Sequence, residues 1–253
     1  MKRDYEINEM NEINEKNQIF HSFRLLLEVI VCTVADAIEA ENGGADRLEV
    51  ISHFERDGLT PSLELVRAIQ NAVRIPLRVM LRESDGYQVA SNDEIERLCA
   101  AAREFEALHV DGVVLGFLRN GKVDLELTQR ILDSAPTLKA TFHRAFDETN
   151  DPFQALTDLR NCSQIDRVLT NGGPGEWAEK IDRLARYQCA TGRYPTILVG
   201  GGVDASVIKA ISAKTDLAEF HIGRAARVPA TIDGSVKSSL VKEILAGIDR
   251  HKP

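Results

Sequence analysis

Residues 139–149 read KATFHRAFDET, a short apolar run that ends in His143, Arg144 and, one turn on, Asp147. An imidazole, a guanidinium and a carboxylate this close together can move a proton and hold an anion. Other apolar runs carry comparable groups: Glu28 in LLLEVIV, Glu49 in RLEVI, Arg82 after LRVML, Asn171 after RVLT and His221 in AEFHI. A carboxylate inside an apolar strand is costly unless it is paired or protonated, so Glu28 and Glu49 each demand a partner. Two readings stand side by side for them: a structural Glu–Arg cluster filling an interior, or a general acid and base tuned by that cluster. A lone histidine at a strand end is more often a hydrogen-bonded structural residue. Two of them beside two carboxylates and an arginine point to a site. The candidates for proton transfer are therefore Glu28, Glu49, His143, Asp147 and His221.

Anion binding has its own candidates. VGGGV (199–203) and HIGRAAR (221–227) follow two late apolar runs, and Asp204 opens a helical pattern just beyond the first. Bare glycine N–H groups at such points can approach a phosphate or carboxylate, although glycines also simply make tight turns. Arg82, Arg144, Asn171, Gly201, Gly202, Gly223 and Arg224 form this second set. Strand alternation places Arg78, Met80 and Arg82 on one face, so that strand can supply a guanidinium inward.

These groups need elements to position them. From Leu25 onward a short Val/Ile/Leu-rich run, a polar turn and a helical pattern recur. The strand candidates are 25–31, 47–51, 77–82, 112–117, 139–143, 167–171, 196–200 and 218–222. Helix signals lie between them: Thr33 before VADAIEAEN with Gly43-Gly44 to stop it, Thr60-Pro61-Ser62, Ser91-Asn92-Asp93-Glu94, Asp151-Pro152 and Asp204, with Ser235 to Ile248 as the last. Asp46-Arg47, Asp111-Gly112 and Asp166-Arg167 introduce three of the strands. Eight strand–helix units with near-continuous apolar strands predict a parallel sheet covered by helices, closed as a (β/α)₈ TIM-type barrel in which strand C-terminal ends form the ligand site. The predicted layout is a polar N-terminal extension over 1–24 and one barrel domain over 25–253.

Composition narrows the function. The 253 residues are 43% hydrophobic and 28% charged with a formal net charge of -8, which argues against nucleic acid or an anionic membrane surface as partner. No apolar run approaches the roughly 18 residues of a membrane span. The Asn- and Glu-rich start lacks the apolar segment of a signal peptide. Cys32, Cys99, Cys162 and Cys189 are widely spaced, as expected of reduced thiols in a cytoplasmic protein. Neither G-x-x-x-x-G-K-[ST] nor G-x-G-x-x-G occurs, so the cofactor is unknown.

Taken together, LEV (27–29), GGADRLEV (43–50), GLTPS (58–62), TFHRAFD (141–147), RVLTNGG (167–173), GGGV (200–203) and EFH (219–221) resemble the CutC family, named for copper homeostasis, over roughly residues 26 to 225. The resemblance implies a (β/α)₈ barrel, a cytoplasmic location and a link to copper. Cysteines proposed in that family as Cu(I) ligands correspond here to Ile30 and Ile51, which have no donor atom, and leave Cys32 as a weak metal candidate. The family's Arg-Pro-Arg after the third strand is replaced by Arg82-Glu83-Ser84, the small residues after its final histidine by Ile222-Gly223-Arg224, and a typical glycine by Asp57. The expected function is an isomerase or lyase using acid–base chemistry on a small anionic or sugar-like substrate. The alternatives are a Cu(I)-binding protein or a non-catalytic module, and a homo-oligomer is open by analogy with other barrels.

Overall fold

The structure is a computed structural model, and it describes residues 25–192 and 194–247. The predicted extension over 1–24 lies outside the described residues. Eight strands close a barrel: β1 (Leu26–Val31), β2 (Arg47–Val50), β3 (Leu77–Met80), β4 (Gly112–Leu115), β5 (Lys139–Phe142), β6 (Ile165–Thr170), β7 (Thr196–Val199) and β8 (Glu219–Ile222). Each pairs in parallel with its sequence neighbours, and β1 pairs with β8 to complete the ring.

Among the described residues eight α-helices wrap the barrel: α1 (Val34–Gly43), α2 (Leu63–Ala72), α3 (Asn92–Ala107), α4 (Leu125–Asp133), α5 (Pro152–Leu159), α6 (Trp177–Thr191), α7 (Ala205–Lys214) and α8 (Ser238–Ala246). Their starts follow from local chemistry. Thr33, Ser62, Ser91, Asp151 and Asp204 each accept a hydrogen bond from a first-turn N–H, relieving donors a helix cannot satisfy itself. Gly44 (φ 94°) ends α1 by returning its N–H to the carbonyls of Ala40 and Glu41.

Period-two alternation sorts the strand side chains. Leu27, Val29, Leu48, Val50, Val79, Val113, Phe142 and Phe220 are fully buried beneath the helices. Their alternates Ile30, Ile51, Met80 and Val114 form a separate apolar cluster. Alternation places that cluster inside the barrel, together with the charged residues Glu28, Arg47, Glu49 and Arg78.

Three of the boundary shifts have a clear local cause. The third strand stops at Met80 because the Arg82 N–H bonds the Thr60 hydroxyl (2.9 Å) instead of a neighbouring strand. The fourth stops at Leu115, since the Asp124 N–H returns to the Phe117 carbonyl and residues 118–123 form a two-stranded ribbon. The last helix begins at Ser238, because Ser235–Val236 pair with Arg227–Val228 as a second ribbon.

Inward charges are paired in a chain through the barrel. Arg78, 1% exposed, bonds Asp111 (2.5 Å) and Asp166 (2.8 and 3.0 Å). Arg167 joins Asp166 to Glu219, Arg47 lies 3.6 Å from Glu219, and Arg47 also pairs with Glu28. Gly112 makes room for this chain, since a Cβ there would sit 2.2 Å from the Lys139 carbonyl oxygen and 2.8 Å from Arg78 Nη1. Gly112→Ala is expected to destabilise the fold by roughly 1–3 kcal/mol, read as a lower urea midpoint with unchanged slope. An unshifted midpoint would show that the barrel wall yields at this point.

Candidate functional site

The C-terminal ends of the strands surround a cavity of about 200 Å³. Its floor is the inward apolar set Ile30, Ile51, Met80 and Leu169, and its polar lining includes Glu49, His143, His221, Arg82, Arg144 and Arg224. Loops add Phe54 and Asp57 after β2, Tyr87 after β3, Gly201 and Gly202 after β7, and Ile232 after β8.

His221 sits between two carboxylates. Its Nδ1 is 2.8 Å from Glu28 Oε1 and its Nε2 is 3.5 Å from Glu49 Oε2. Glu28, 1% exposed, also takes the Arg47 guanidinium. Burial by itself would raise the Glu28 carboxyl, but Arg47 and His221 together hold it well below the usual carboxylate range. Burial likewise opposes charge on His221, and the two glutamates outweigh it, so the imidazole is held above its ordinary value. Glu49 differs from Glu28. Burial pushes its carboxyl up to about 7, His221 and Arg47 pull against that, and Glu28 adds repulsion. Its Oε1 is buried without a hydrogen-bond partner.

The second imidazole has the opposite character. His143 Nδ1 accepts the Ala145 N–H (3.1 Å), so in the neutral ring Nε2 carries the proton. Burial first, then Arg82 and Arg144, push His143 down to about 3, and the ring is neutral at ordinary pH. Its Nε2 is buried without a partner. The ring packs on Tyr87 at 5.4 Å and approaches Gly116, where a Cβ would come 2.6 Å from Nδ1.

Several predicted site residues take other positions. Glu28 lies beneath the cavity and touches it only through His221. Asp147 does not line it, because the turn Arg144–Glu148 directs its carboxylate back to the Thr170 hydroxyl, the Asn171 N–H and Arg144 Nε. Asn171 does not line it either; its Oδ1 accepts the Gly173 N–H (2.7 Å) and closes a turn. Arg82 does line it, but its N–H groups go to the carbonyls of Arg56 (3.0 Å), Gly58 (3.1 Å) and Gly86 (3.3 Å), clamping two loops. Gly223 provides space, with a Cβ there 2.9 Å from Phe54 Cζ. Cys32 is outside the lining, its Sγ 3.9 Å from Arg227 Nη2 and its thiol pushed up to about 11 chiefly by burial.

Phe54 and Tyr87 went unpredicted. Phe54 opens a short 3₁₀ turn and Tyr87 lies in a loop, where no periodicity marks them; Arg227 and Arg82 against their ring faces (5.1 and 5.7 Å) help to fix them at the mouth. Arg227 was within reach of sequence reasoning as a second arginine in HIGRAAR. It is buried, bonding Gly234 O (2.6 Å), Ile30 O (3.0 Å) and Asp36 (3.3 Å), and so ties the final loop to β1.

Fold and site together define a closed (β/α)₈ barrel with carboxyl and imidazole groups gathered at its C-terminal mouth. The CutC family model matches residues 25–226, and the chain belongs to the CutC family. Among relatives, it is 36% identical to the human copper homeostasis protein cutC homolog over 198 residues, 78% of this chain and 72% of that protein. It is 34% identical to a family protein CutC of Xanthomonas campestris pv. campestris, over 81% of this chain and 86% of that one. A crystal structure of CutC from Streptococcus agalactiae superposes with a TM-score of 0.73 at 24% identity, covering 79% of this chain and 98% of that one. Phosphoribosylanthranilate isomerase from Thermotoga maritima gives 0.58 at 12% identity, covering 88% and 97%, a likeness of fold alone.

Proposed function

We propose that the chain is an acid–base enzyme, of isomerase or lyase type, acting on a small anionic or sugar-like compound in the cytoplasm. One observation carries this reading: Glu49 lines the cavity with an unpartnered carboxyl oxygen and titrates near neutrality. A general acid or base works best when its pKa lies near the working pH. In this reading Glu49 removes a proton from a carbon next to a carbonyl. The His143 Nε2–H donates to the carbonyl oxygen while negative charge grows there. Isomerisation returns that proton to the neighbouring carbon, so nothing is gained or lost; a lyase instead expels a group from the adjacent carbon. Neutral His143 suits the electrophile, since it donates a hydrogen bond without surrendering a formal charge. Glu28, His221 and Arg47 position Glu49 and set its proton affinity.

The test is solvent deuterium exchange at carbon, followed by proton NMR, across a panel of aldoses, ketoses and sugar acids. Exchange in the wild type that disappears in His143→Asn is the expected result. A panel that exchanges no faster than a buffer control would remove the reading.

Copper handling is the second reading, favoured by the names of relatives such as the human protein. The donor set fits Cu(I) poorly: the cavity offers Ile30 and Ile51, and Cys32 keeps its proton. Among the described residues no cluster of three or more His, Cys, Asp or Glu is arranged to hold a metal. Stoichiometric Cu(I) binding abolished by Cys32→Ala would favour this second reading.

A further inference from the structure

We infer that the anion accepted at the mouth is a single carboxylate, borne by a short oxo- or hydroxy-acid, and not a phosphate ester; this rests on the acid–base reading above. Barrels that hold phosphate after their seventh and eighth strands use glycine N–H groups together with a helix N-terminus. Here that terminus is taken. The Asp204 carboxylate caps α7, accepting from the Val207 N–H (3.0 Å) and the Ser206 hydroxyl (2.6 Å), and a phosphate dianion would meet this negative group. Between β8 and α8 the only helical piece among the described residues is the three-residue turn Arg224–Ala226, too short to supply a second terminus.

What remains suits a planar monoanion. Arg224 lines the cavity, and its guanidinium has no hydrogen bond or ion pair with another described residue. Arg144 commits only Nε to Asp147, and its Cζ lies 3.2 Å from where a Gly201 Cβ would be, so it packs on the glycine turn. Guanidinium groups meet a carboxylate with two parallel N–H bonds. Asp57 at the same mouth adds negative charge and further disfavours a dianion.

The other end of the ligand follows from the floor. Ile30, Ile51 and Met80 offer no hydrogen bonds, so a densely hydroxylated sugar would leave buried hydroxyls unsatisfied there. The exceptions are the unpartnered Glu49 Oε1 and His143 Nε2, enough for one oxo or hydroxyl group beside the reacting carbon.

The experiment is ligand-observed NMR on the full chain with pyruvate, lactate, glycerol phosphate and inorganic phosphate. Wild type, Arg224→Ala, Arg224→Lys and Glu49→Gln are compared. Pyruvate or lactate is expected to bind at millimolar concentration, and Arg224→Ala to weaken that binding roughly tenfold or more. Lysine should restore only part of it, being a point charge without the planar fork. Tighter binding of either phosphate, no binding of either carboxylate, or an affinity indifferent to Arg224→Ala would each overturn the inference. Carboxylate binding without carbon exchange would leave the subsite standing and remove the acid–base reading; exchange confined to phosphate esters would do the reverse.

Discussion

Glu49→Gln is expected to lower the carbon-exchange rate by roughly 10²–10⁴-fold while leaving the barrel folded. Glutamine keeps the shape of the side chain and can still meet His221, but it cannot accept the carbon proton. The wild-type rate should rise as pH passes about 7, where Glu49 loses its own proton. In the variant that inflection should vanish. Stability provides an independent reading. Because the folded pKa of Glu49 is raised above the ordinary 4.5, the folded state binds the proton more tightly than the unfolded chain. Its contribution is therefore fully present below about pH 4.5 and lost as pH climbs through about 7. That loss is on the order of 3 kcal/mol, and Glu49→Gln should remove the slope between these limits. His143 acts oppositely: its folded pKa is depressed to about 3, so its contribution is present above about 6.5 and lost as pH falls toward 3. The two slopes oppose each other between about 4.5 and 6.5, and each variant should unmask the other. Glu49→Gln with wild-type exchange and an unaltered stability profile would defeat the assignment.

The sequence legibly encodes the frame of this site, and less of its wiring. Polar residues at the ends of apolar runs become a common mouth because every β/α unit has the same direction, so Glu49, His143, His221 and Arg224 converge. Hydrogen-bonding partners depend instead on barrel closure. Alternation on β3 suggested an arginine for Glu28 and Glu49, and Arg78 does point inward, yet it bonds Asp111 and Asp166. Those carboxylates belong to the Asp-Gly pair that leads into β4 and the Asp-Arg pair near the start of β6, and Asp166 is 88 positions away in sequence. The true partner of Glu28 is Arg47, placed opposite it by the β1–β2 register. Asp147 misled for a local reason. Four residues after His143 it would share a face in an α-helix, but the tighter 3₁₀ turn sends it toward β6.

Arg47 therefore supports the second large prediction. Its guanidinium is 3% exposed and stands between Glu28 and Glu219, while His221 alone holds the other oxygen of Glu28. Arg47→Met fills much of the same volume and removes the charge. Glu28 is then left in the barrel interior with a single partner that it shares with Glu49. Breaking a buried pair on one side costs roughly 3–5 kcal/mol, because the surviving charge remains desolvated. Glu28 has two ways to respond, unfolding the surroundings or taking up a proton. In the wild type its depressed pKa contributes stability above about pH 4.5 that is lost as pH falls below that value. In Arg47→Met the acid-unfolding midpoint should accordingly move toward neutral pH. The double variant Arg47→Met, Glu28→Leu removes both charges and should recover most of the loss, since apolar replacements of a buried pair are often near neutral. It should not recover activity, because without Glu28 the His221 imidazole loses one of the two carboxylates that hold its proton, and the proton affinity of Glu49 changes with it. Urea unfolding of the two single variants and the double variant gives the coupling energy directly. A cost below about 1 kcal/mol for Arg47→Met alone would mean that water reaches Glu28, and Glu28 could no longer be what sets the proton affinity of its neighbours.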